Sequence, residues 1–63
     1  MTEQEYFTSI QIANNLGSRD DWISSMLRFL ALECCRGYIY SLETPRPDLE
    51  QMLPNSYKRI SHI

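Results

Sequence analysis

Two adjacent thiols, Cys34 and Cys35, and one imidazole, His62, are the side chains here best suited to chemistry. A thiolate beside an imidazole can attack a carbonyl, and thiols with an imidazole can hold zinc. Neither arrangement is complete. A structural zinc site needs four ligands, and these three residues lack CxxC spacing. A nucleophile–base pair would have to join Cys34, Cys35 or a serine to His62. That histidine lies one residue from the last, where fraying is expected and rigid placement is lost. Gly17 and Gly37 stand too far apart to form a phosphate-cradling loop, and there is no HExxH. At 63 residues the chain can hardly enclose a substrate pocket. The expectation is a protein that is not an enzyme, with no cofactor, no metal and no small-molecule substrate.

Neighbouring residues of a helix point about 100° apart, so Cys34 and Cys35 cannot bridge each other. No third cysteine could staple the fold. Free thiols fit a reducing, cytoplasmic setting better than a secreted one. Thr2-Glu3-Gln4-Glu5 is acidic and polar where a signal peptide would need positive charge. Cys34 reads as a small core hydrophobe.

Hydrophobic residues make up 43% and charged residues 22%, too apolar for a disordered chain. The net charge of -2 opposes general nucleic-acid binding, which calls for a basic surplus. Arg28, Glu33 and Arg36 interrupt the long apolar segment and argue against a membrane span.

The elements follow from caps and periodicity. Thr2 with Glu5 matches a capping box. Tyr6, Phe7, Ile10, Ala13 and Leu16 then recur at helical spacing, predicting a helix over Glu3–Leu16 that Gly17 closes in a left-handed cap. Ser18 as N-cap, with Asp20 and Asp21 on the dipole, predicts a second helix over Arg19–Leu42. Gly37 is its weak point. Pro45-Arg46-Pro47 lacks PxxP spacing and reads as a stiff connector. Pro47 then opens a short helix carrying Leu49, Met52 and Leu53. The expected fold is all-α: an antiparallel helical hairpin over 1–43 with a long second helix. A proline connector, short helix and basic tail over 44–63 pack on it as part of one domain.

The second helix carries more apolar surface than one hairpin needs. Trp22, Ile23, Met26, Leu27, Phe29, Leu30, Cys34 and Tyr38 fill an arc of about 180°, where a helix on a domain edge needs roughly 100°. From this arc Trp22, Met26, Leu30 and Cys34, with Phe7 and Ile10, form the expected core. Leu32, Cys35, Ile39 and Leu42 form another stripe on what should be the polar side. Two covers are open for it. One is the C-terminal segment, through Leu49, Met52, Leu53 or Tyr57. The other is a second chain.

The functional expectation rests on that second stripe. The chain is read as a small protein-binding module, an adaptor, inhibitor or accessory subunit. It would dock a helix face onto a larger protein or onto a copy of itself. The expected interface is Leu32, Cys35, Ile39, Tyr40, Leu42, Arg46, Lys58 and Arg59, rich in types that dominate interface energetics. Lys58 and Arg59 would meet an acidic surface, and Ser61 beside them is a candidate phosphate acceptor. Its size and helical shape resemble those of small bacterial or phage regulatory proteins, an analogy that identifies no target. The alternative is a small nucleic-acid-associated regulator using Arg19, Arg28, Arg36, Lys58 and Arg59.

Overall fold

A computed structural model describes residues 1–58 of the chain. These residues form helices only: α1 (Glu3–Gly17), α2 (Trp22–Ser41), α3 (Pro47–Glu50) and a 3-10 turn, Asn55–Tyr57. The expected helical hairpin, proline connector and short third helix are all present.

The N-terminus of α1 forms as its sequence dictates. The Thr2 hydroxyl accepts from the Glu5 backbone N–H at 3.1 Å, and the Thr2 N–H donates to the Glu5 carboxylate at 2.8 Å. The bond from the Thr2 N–H favours the ionised carboxylate, so Glu5 titrates below the usual glutamate range.

The junction differs from expectation. Ser18 does not start α2 because it finishes α1: its hydroxyl donates to the Asn15 carbonyl at 2.8 Å, and its N–H donates to the same group. Gly17 stays helical, with no positive φ. Asp21 caps α2 instead, accepting from the Ser24 N–H at 2.7 Å and the Ser24 hydroxyl at 3.0 Å. Those bonds hold the Asp21 carboxyl below its ordinary range. They also satisfy Ser24, which is buried although polar. Gly37 does not break α2.

The two helices run antiparallel. A methyl group at Gly17, the end of α1, would lie 3.1 Å from Arg28 near the start of α2. At the other end the Tyr6 and Tyr38 rings meet, 5.5 Å between centroids. The core comprises Tyr6, Ile10 and Ala13 from α1, Leu32, Cys35 and Ile39 from α2, and Leu49 and Leu53 beyond the connector. The Tyr6 hydroxyl donates to the Leu49 carbonyl and pins α3 across the hairpin. Arg46 adds an exposed tie, 2.8 Å from Glu3 and 2.9 Å from Asp48.

The helices therefore meet through the opposite side of α2 from the one expected. Leu32 and Cys35 are 1% and 0% exposed, whereas Trp22 and Leu30 are 73% and 53% exposed. Met26 and Cys34 also lie outside the core, and Phe7 packs at its edge. The stripe that enters carries small residues, Ser24, Ala31 and Cys35, matching Ala13 on α1. Small side chains let two helices approach closely, and the bulky Trp22–Leu30 side would hold them apart. Its polar members are accommodated too, Ser24 by Asp21 and Arg28 by lying over Gly17.

Candidate protein-docking face

The seven described members of the expected interface do not form one open surface. Leu32, Cys35 and Ile39 are core residues, and Leu42 packs partly buried against them. The cover is intramolecular, supplied by α1 together with Leu49 and Leu53, with Tyr57 at the edge and Met52 left exposed. Leu32, Cys35 and Ile39 thus offer almost no surface to a partner, which corrects the expectation. Tyr40 is exposed, with the Arg36 guanidinium 5.9 Å from its ring centroid. Arg46 is engaged by Glu3 and Asp48. Lys58 borders a shallow depression of about 190 Å³ with Pro47, Glu50 and Gln51. That volume is below the ~300–1,000 Å³ of ordinary ligand sites. Arg59, Ser61 and His62 lie outside the described residues.

What the hairpin leaves open is the outer side of α2. Trp22, Ile23, Met26, Leu27, Leu30 and Cys34 are all exposed there. At 100° per residue they span about 140°, on the side away from Leu32, Cys35 and Ile39. Phe29 is also exposed but leaves this arc, packing edge-on against Tyr57 at 6.1 Å. The Cα trace measures 35 × 29 × 15 Å. Five large side chains at roughly half exposure or more present on the order of 500 Å² of apolar surface. That lies within the range of the largest patches on soluble monomers, which often mark interaction sites.

The face has little charge of its own. Glu33 at its edge pairs with Arg36 at 3.3 Å. Among the described residues no three His, Cys, Asp or Glu side chains are grouped to hold a metal. None of the described helices is long and apolar enough to cross a membrane.

The sequence held one signal for this face. An apolar arc of about 180° exceeds what a single packing partner covers, so part of it had to remain outside. The choice between sides turned on size. The inner side interleaves the small residues Ser24, Ala31 and Cys35 with Leu32 and Ile39, and so lets α1 approach closely.

The two thiols, read as a pair in the sequence, separate in the structure. Cys34 is exposed and Cys35 is buried. Burial pushes the Cys35 thiol up, away from the reactive thiolate. Iodoacetamide should modify one thiol of the native monomer in dilute solution, at Cys34, and the second only after denaturation. Peptide mass spectrometry checks this, and equal labelling of both would refute the packing.

Fold and face together define a two-helix hairpin with one apolar side that the other described residues leave uncovered. Compared with protein-family models, curated proteins and solved structures, the chain matches none.

Proposed function

We propose that this chain is a small, non-enzymatic protein-binding module that docks the outer face of α2 onto another protein chain. It would serve as an adaptor, inhibitor or accessory subunit in a reducing, cytoplasmic setting. One observation supports the reading above all: six apolar side chains stand exposed in register on one side of a helix. A scattered exposed leucine needs no explanation, but a contiguous face invites a cover. Trp22 adds a large anchor of the kind that dominates binding energy.

Of the cations the nucleic-acid alternative would use, Arg19 and Arg36 each lie within 4 Å of a carboxylate, Asp21 at 3.6 Å and Glu33 at 3.3 Å.

Photo-crosslinking tests the docking face. A photoreactive residue at Leu30 should yield covalent adducts with protein in the native cytosol. The same residue at Gln11, on the exposed side of α1, should not. Adducts from neither position, or equally from both, would defeat the proposal.

A further inference from the structure

The outer face of α2 matches its own reverse. Ile23, Leu27, Leu30 and Cys34 follow one another at spacings of four, three and four. That series reads the same from either end. It is also the alternation that keeps a seam facing a partner helix. An antiparallel copy of α2 therefore meets it with Ile23 opposite Cys34 and Leu27 opposite Leu30, each pair occurring twice.

Size complements size along this seam. Trp22 is the most exposed large side chain, and a methyl group built at Gly37 would meet nothing within 4 Å. Helical side chains lean toward their own N-terminus. In the antiparallel register this carries the Trp22 indole to the level of Gly37 on the opposing helix, into the open space there. A glycine inside a helix costs about as much as any non-proline residue can, and none of the other described residues makes use of the gap. The same register sets Asp20 and Asp21 at the level of Arg36 on the other copy. A parallel pairing would instead stack Trp22 on Trp22 and Asp20 on Asp20, and leave Gly37 against Gly37.

We infer that the partner of this face is a second copy of the chain, paired antiparallel through α2 along Ile23, Leu27, Leu30 and Cys34, with Trp22 seated over the other copy's Gly37. The inference rests on the docking face proposed above and names its occupant. Two copies would bury on the order of 1,000 Å², the low end for a specific interface, so exchange with monomer is expected at micromolar concentrations.

Analytical ultracentrifugation of the full chain from micromolar to millimolar concentration should show a monomer–dimer equilibrium. Leu30→Glu should raise the dissociation constant at least ~100-fold with unchanged helical circular dichroism in dilute solution. Gly37→Leu should weaken the dimer while raising the melting temperature of the monomer. The register has its own readout. Ile23→Cys should form an intermolecular disulfide with native Cys34 under mild oxidation. The wild-type Cys34 thiols, about 16 Å apart along the axis at 1.5 Å per residue, should not bridge within the dimer. A chain that stays monomeric at every concentration would overturn the inference, as would a Cys34–Cys34 bridge in the wild-type dimer. If Leu30 meanwhile crosslinks to a different protein, the docking face stands and only self-pairing falls.

Discussion

Leu32→Glu should unfold the chain, whereas Leu30→Glu, two positions away, should leave its helix content intact. The residues differ by about 200° around α2. Leu32 is closed in by α1 and the C-terminal segment, while Leu30 faces outward. A carboxylate at position 32 would be buried without a partner, costing several kcal/mol beyond the ~1.5–3 kcal/mol of lost leucine burial. A chain this size holds only ~3–5 kcal/mol from its own core. The loss therefore exceeds what is there. At position 30 a surface carboxylate should change monomer stability by no more than about 0.5 kcal/mol. Circular dichroism in dilute solution, with thermal melts of both variants, reads the difference. A cooperative melt for Leu32→Glu near the wild-type temperature would mean that α2 packs by its other side.

This pair of substitutions also locates what the sequence made legible. Element order was readable because it is local. Thr2 and Glu5 cap α1 by bonds that span three residues, and Pro47 starts α3 through its own fixed φ. Which side of α2 faces α1 is not local. Both sides carry apolar residues at helical spacing, so periodicity gave two answers. Ser24 and Arg28 made the true inner side look polar. Asp21 satisfies the first, and the second lies over Gly17 where α1 ends. The junction hid a related ambiguity, since Ser18 and Asp21 both suit an N-cap. Only the bond from Ser18 back to Asn15 shows that the serine belongs to α1. The candidate site followed the same error. Leu32, Cys35 and Ile39 stood out as apolar residues needing a cover, and their cover proved to be α1.

The attachment of the C-terminal segment gives a second test, with a sign that reverses with pH. Tyr6 is fully buried, and its hydroxyl donates to the Leu49 carbonyl. Tyr6→Phe removes that bond and should cost about 1 kcal/mol at pH 8. The penalty stays modest because the Leu49 carbonyl keeps the Met52 N–H at 3.1 Å. Alkaline solution acts the other way. Burial, reinforced by Cys35, Glu50 and Asp48, pushes the Tyr6 phenol up to about 12 from 10.0. The native state resists losing that proton, and the unfolded chain loses it near its ordinary value. Between the two values the folded chain binds more protons than the unfolded one, so stability falls as pH rises. This contribution is fully present below pH 10.0 and is lost as pH climbs to about 12. A shift of this size corresponds to roughly 2–3 kcal/mol. Phenylalanine has no proton to lose, so Tyr6→Phe escapes this loss. The variant should therefore be the less stable protein at pH 8 and the more stable one near pH 12. Urea titrations of both proteins across that interval should show their stability curves crossing. Parallel curves would mean that the Tyr6 hydroxyl reaches water and that α3 does not cover it.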